Sequence, residues 1–126
     1  MKEGVLLLGH GSRRDEGNVE LRQILEEVKK RGPKDRVYQC SFLQFTQPTL
    51  DEGIKYLVSA GVEKIIVVPL FLVSGTHIRQ DIPNKLMLQK NKHPHIKFVY
   101  AEHLGSDARI ADIVLDRIKG ASRLVE

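Results

Sequence analysis

The chain has 126 residues, 41% of them hydrophobic and 29% charged, which gives room for one buried core but not two. With a net charge of +4 and no apolar run near the roughly 20 residues that cross a bilayer, neither a membrane span nor a secretory leader is expected. The single cysteine excludes an internal disulfide and suits a cytoplasmic setting.

Val5 to Leu8 run straight into Gly9-His10-Gly11-Ser12. A short apolar run ending in glycine predicts a strand buried on both faces, as in a parallel sheet. The glycines allow a sharp turn and leave His10 in the open at the strand's carboxyl end. A histidine that only caps the following helix is the plainer alternative. Asp15 and Glu16, in the polar turn Arg13 to Asn18, suit the positive end of that helix. Leu21, Ile24, Leu25 and Val28 give it one apolar face, and Gly32-Pro33 stops it, the glycine as a C-terminal cap. Val37 to Leu43 predicts a second strand, with Cys40 as a small core residue.

The second turn is Gln44 to Thr49. Pro48 is expected in the first turn of a helix, Thr46 and Thr49 are both candidate caps, and Thr49 with Glu52 has capping-box spacing. Leu50, Ile54, Leu57 and Val58 mark that helix, and Gly61 ends it. Lys64 to Leu70 is the most β-branched run, and Pro69 puts its end close by. Phe71 to His77 is a third turn that again delivers a histidine. Ile78, Ile82 and Leu86 predict a helix from about Thr76, perturbed by Pro83 one turn in. After the polar loop Asn91 to His95, Lys97 to Ala101 reads as a fourth strand. Glu102 to Asp107 then turns into a last helix, whose Ile110, Ile113, Val114 and Ile118 share a face.

The order β-α-β-α-β-α-β-α predicts a single α/β domain over residues 1–126. Its core is a four-stranded parallel sheet with helices on both faces, a flavodoxin-like three-layer arrangement. Right-handed crossovers then bring every βα turn to one rim, where open α/β sheets bind ligands. His10, Gln44, His77 and the Glu102-His103 pair all follow strands and are expected there. His93 and His95 precede a strand and fall at the opposite end.

Two imidazoles over a parallel sheet can bind a Co, Ni, Cu or Zn ion or act as bases near neutral pH. P-loop, dinucleotide, nucleophile-elbow and common zinc signatures are all missing from the sequence. Phosphohistidine phosphatases also place a histidine after the first strand, but the arginine they need before His-Gly is Gly9 here. Arg13, Arg14 and Arg79 either attract an anionic ligand or form a solvated face. The basic residues are scattered and no recognition motif appears, so no nucleic-acid partner is expected.

LLLGHGSR, QFTQPTL, VPLFLVSGTHIRQDIP and EHLGSDARI, in that order, resemble the small CbiX-type cobaltochelatases, here in their short archaeal form. These belong with the sirohydrochlorin chelatases and, more distantly, the ferrochelatases. The resemblance implies insertion of Co²⁺ into sirohydrochlorin for cobalamin synthesis, without ATP or an organic cofactor. Ni²⁺ insertion for coenzyme F430 is the alternative within the class, and a non-catalytic metal or tetrapyrrole carrier the alternative outside it. It also implies a homodimer, with no nucleic acid and no membrane as partner. By similarity, His10 is catalytic base and metal ligand, and His77 is the second ligand. Gln44, Phe45, Phe71, Leu72, Val73, Ser74, Gly75 and Thr76 would contact the macrocycle. Many relatives carry Glu where this chain has Gln44, which leaves Glu102 as the candidate for a carboxylate at the rim. His103 adds a third imidazole to the same region.

Overall fold

A computed structural model describes residues 1–73 and 75–125, with His77 described by its backbone alone. Four strands alternate with four helices: β1 (Glu3–Gly9), α1 (Asp15–Arg31), β2 (Val37–Phe42), α2 (Leu50–Ser59), β3 (Lys64–Pro69), α3 (Thr76–Lys92), β4 (Lys97–Tyr100) and α4 (Ala108–Lys119). The strands form one parallel sheet in the order β2-β1-β3-β4. Every turn that leaves a strand therefore opens at the same end. Among the described residues no helix is long and apolar enough to cross a membrane.

β1 lies in the middle of the sheet, and its residues from Gly4 to Gly9 are all buried. Its side chains alternate between two cores, as strand geometry requires. Leu6 and Leu8 pack with Ile65 and Val67 of β3 against Ile54 and Leu57 of α2 and Ile82 and Leu86 of α3. Val5 and Leu7 point the other way, onto Leu21 and Leu25 of α1 with Cys40 and Phe42 of β2. Burial on both faces explains why Val5 to Leu8 is continuously apolar rather than alternating. Burial also pushes the Cys40 thiol above its ordinary pKa, which suits a core residue and not a nucleophile.

α2 begins with the full capping box. Thr49 accepts from the Glu52 backbone N–H, and the Glu52 carboxylate accepts from the Thr49 N–H. α2 and α3 are clamped together by Asp51. Its Oδ1 accepts from Gln89 Nε2 at 3.1 Å and from Lys92 Nζ at 3.0 Å.

Four details depart from the sequence reading. Pro48 stands before the Thr49 cap instead of inside the first turn of α2. Gly32 ends α1 with φ −86°, outside the left-handed region, so its role is not a left-handed cap. A Cβ there would run into the Tyr38 hydroxyl, which donates to the Pro33 carbonyl, and close approach is the reason for glycine. Ile24, on the nominal apolar face of α1, is 48% exposed. Finally, α4 buries none of its residues, and Ile113, Val114 and Ile118 all face outward. Its apolar stripe is real but has no partner among the described residues.

Candidate metal and macrocycle site at the strand ends

The turns at the carboxyl ends of the strands are joined in series by backbone hydrogen bonds. Leu43 N–H donates to the Gly9 carbonyl at 2.9 Å and Gln44 N–H to the His10 carbonyl at 3.1 Å, linking the second turn to the first. Leu70 N–H donates to the Leu8 carbonyl at 2.9 Å, and Leu104 N–H to the Phe71 carbonyl at 3.1 Å. These bonds extend the sheet's order past its last residues. Gly11, at φ +87°, is essential to the first link: a Cβ there would collide with the Gln44 carbonyl as well as strain the backbone. Asn18, 3% exposed, fixes the loop from the helix side. Its Oδ1 accepts from Ser12 N–H at 3.1 Å while its Nδ2 donates to the Ser12 carbonyl at 3.0 Å.

His10 sits on this frame with its ring exposed. The imidazole packs on Phe71, with ring centroids 4.4 Å apart and planes tilted by 54°. Phe71 itself is 5% exposed and belongs to the core between the sheet and the α2–α3 layer. Of the two rim phenylalanines, Phe71 backs the histidine and Phe45 lies under the Arg13 guanidinium, 4.6 Å from its ring centroid. Phe45 is 54% exposed, and its backbone lies in the left-handed region at φ +69°.

Leu72 and Val73 are exposed in the third turn, at 56% and 82%. Gly75 is the N-terminal cap residue of α3, and both it and Thr76 are exposed. Gln44 is exposed beside Phe45. His77 falls in the first turn of α3, so its backbone follows β3 as expected, while its side chain and the whole of Ser74 lie outside the described residues. Glu102 and His103 line a small cleft of about 210 Å³ with Arg79, Tyr100 and Ala101, at the end of β4. His93 and His95 precede β4 at the far end of the sheet, with ring centroids 6.5 Å apart.

Among the described residues, no three His, Cys, Asp or Glu side chains gather as a metal site. The rim is an open surface, and roomier hollows lie away from it. One of about 570 Å³ is lined by Leu86, Met87 and Phe98, between α3 and β4. An open rim suits a flat, broad ligand better than an enclosed cavity would. Asn18, Arg22, whose Nη2 donates to the Gln47 carbonyl at 2.9 Å, and the left-handed Phe45 are parts of this construction that sequence reasoning missed. Asn18 read as one more polar turn residue, and nothing local in the sequence marks the conformation of Phe45.

Comparison with known proteins agrees with this fold. The CbiX family model matches residues 4–121. The sirohydrochlorin cobaltochelatase of Methanopyrus kandleri is 38% identical over 93% of this chain and 95% of its own length. The crystal structure of the sirohydrochlorin chelatase SirB from Bacillus subtilis subspecies spizizenii, in complex with cobalt, superposes with a TM-score of 0.89 at 32% identity. It covers 98% of this chain but only 52% of its own, so this chain spans about half the length of that molecule. A putative cobalamin biosynthesis CbiX protein from Marinobacter aquaeolei has a TM-score of 0.81 at 25% identity, over 94% and 95% of the two chains. With nearly every residue from the first strand to the last helix matched, the chain belongs to the CbiX family.

Proposed function

We propose that this protein is a sirohydrochlorin chelatase that inserts Co²⁺, as a substrate, into the macrocycle without ATP or an organic cofactor. The observation that carries the reading is the placement of His10. An exposed imidazole stands at the end of the central strand, backed by Phe71, on the rim that also exposes Phe45, Leu72 and Val73. Those apolar side chains offer contact to a flat ring, and the imidazole offers the base that metallation needs. Two protons must leave the inner pyrrole nitrogens before the metal can take their place. A neutral imidazole accepts a proton near physiological pH, and it also ligates Co²⁺ weakly enough to release it. His77 is the proposed second ligand, with the remaining metal positions left to water and then to the macrocycle. Gln44, Ser74, Gly75 and Thr76 complete the proposed macrocycle contacts.

Two observations support a second copy of the chain as the partner. The chain spans only about half the length of the SirB structure it resembles, and α4 carries exposed Ile113, Val114, Leu115 and Ile118 with no partner among the described residues. Such a stripe is the kind of surface that oligomers cover. The test is spectrophotometric metallation of sirohydrochlorin with Co²⁺, Ni²⁺ and Fe²⁺ in parallel, under multiple turnover. Fastest turnover with Co²⁺ is expected. Stoichiometric binding without turnover would make the protein a carrier, and fastest turnover with Ni²⁺ would reassign the metal.

A further inference from the structure

The Gln44–Pro48 corner holds an exposed aromatic residue in a conformation that phenylalanine avoids. Phe45 has φ +69°, and at 54% exposure its side chain is not buried in compensation. The corner is fixed on all sides. Gln44 N–H bonds the His10 carbonyl, Thr46 N–H bonds the Gln44 carbonyl at 2.9 Å, and Arg22 Nη2 donates to the Gln47 carbonyl at 2.9 Å. What this arrangement presents is a pair. The Arg13 guanidinium lies over the Phe45 ring, 4.6 Å from its centroid, and Arg13 makes no ion pair among the described residues. A guanidinium held over a ring still has N–H donors around its edge, in the plane where a carboxylate binds with two bonds. Arg13 and Phe45 flank His10 in sequence and across the Gln44–His10 link, so the pair stands beside the reacting centre.

We infer that Arg13 and Phe45 act together as a positioning clamp for a carboxylate on the tetrapyrrole's edge, and that they set preference for a carboxylate-rich macrocycle. The inference rests on the chelatase reading for the identity of the ligand. The phenyl ring holds the guanidinium at a fixed height above the rim, and the guanidinium fixes the in-plane rotation of the macrocycle over His10. Neither residue exchanges a proton or touches the metal, so the clamp acts mainly on substrate capture and only slightly on the chemical step.

The experiment measures binding and metallation of sirohydrochlorin, which carries eight carboxylates, by wild type, Arg13→Gln, Arg13→Lys, Phe45→Leu, Phe45→Tyr and Arg13→Gln/Phe45→Leu. Deuteroporphyrin, with two carboxylates, serves as the second ligand in the binding titrations. Arg13→Gln is expected to raise KM for sirohydrochlorin about tenfold with kcat held within about twofold. Phe45→Leu should do nearly the same although it removes no charge. The double variant should be little worse than either single one, as expected of side chains that work as a unit. Phe45→Tyr should restore wild-type KM, and Arg13→Lys should restore it only in part, because a lysine keeps the charge without the stacked fork. Deuteroporphyrin binding should change little in Arg13→Gln and Arg13→Lys. Unchanged KM in Arg13→Gln, additive losses in the double variant, or equal losses for both macrocycles in Arg13→Gln would overturn the clamp. A wild type that metallates sirohydrochlorin while Arg13→Gln behaves identically removes the clamp and leaves the chelatase reading intact. Coupled losses of sirohydrochlorin binding in the variants, with no metallation by the wild type, do the reverse.

Discussion

His10 and Phe71 come from the ends of different strands and meet ring to ring, with centroids 4.4 Å apart and planes tilted by 54°. The contact gives an exposed imidazole one fixed wall, because Phe71 is itself locked in the core. Phe71→Leu keeps an apolar side chain but removes three buried carbons, so its cost in stability should be about 1–3 kcal/mol. It removes the flat surface that orients the imidazole, and the metallation rate should fall about tenfold through misplacement of the base. Thermal unfolding and single-turnover metallation of the same preparation separate the two effects. An unchanged rate in a folded variant would show that the ring contact is packing alone.

Replacing the imidazole itself should be far more severe for turnover and far milder for the fold. His10 is exposed and its carbonyl, not its side chain, links to Gln44. His10→Gln should therefore leave the unfolding free energy within about 0.5 kcal/mol of wild type. Loss of a positioned base should slow metal insertion on the order of 10²- to 10⁴-fold. A His10→Gln protein that metallates sirohydrochlorin at the wild-type rate would remove the base from the mechanism.

The strands and helices were legible because each carries its own local signal. Val5 to Leu8, the Thr49–Glu52 box and the β-branched run from Lys64 act within a few residues, and all three emerge as read. The shared rim was legible too, since parallel pairing leaves the βα turns nowhere else to go. What sequence pattern did not reveal depends on contacts between distant segments. Gly32 looks like a helix cap but is glycine because Tyr38, from β2, occupies its Cβ direction. The stripe on α4 reads as a core face, yet burial needs a surface opposite it, and none is present among the described residues. The strained Phe45 corner is set by Arg22 and His10 from outside it, which no local pattern encodes.

Gly53 makes a prediction whose sign separates tertiary contact from intrinsic preference. It lies inside α2, where alanine would favour an isolated helix by about 1 kcal/mol. A Cβ at this position would run into Ser41 Oγ of β2. Ser41 is fully buried and donates to the Thr49 carbonyl at 2.9 Å, so it has no room to move aside. Gly53→Ala should therefore destabilise the protein, by about 1–3 kcal/mol as for other overpacked core sites. Urea unfolding gives the sign directly, and a more stable variant would mean that α2 can lift from the sheet at little cost.

The Asp51 clamp should make the α2–α3 layer sensitive to acid. The hydrogen bond from Gln89, followed by those from Lys92 and Lys55, holds the Asp51 carboxyl well below the usual carboxylate range. In the unfolded chain the same group titrates near its ordinary value of about 3.9. A group whose pKa is lower in the folded state contributes stability above the unfolded value and loses it as pH falls towards the folded one. The stability gap between wild type and Asp51→Asn should thus be full above about pH 5 and close steadily on the way to about pH 2. Asparagine keeps an oxygen for Gln89 but gives the two lysines no charge, so the loss isolates ionisation from shape. Because the side chain of Asp51 is partly open to solvent, 1 M salt should shrink the gap at neutral pH. Denaturation midpoints of the two proteins measured from pH 2 to 8 check this, and curves that stay parallel across the range would show that the carboxylate's charge contributes nothing to the clamp.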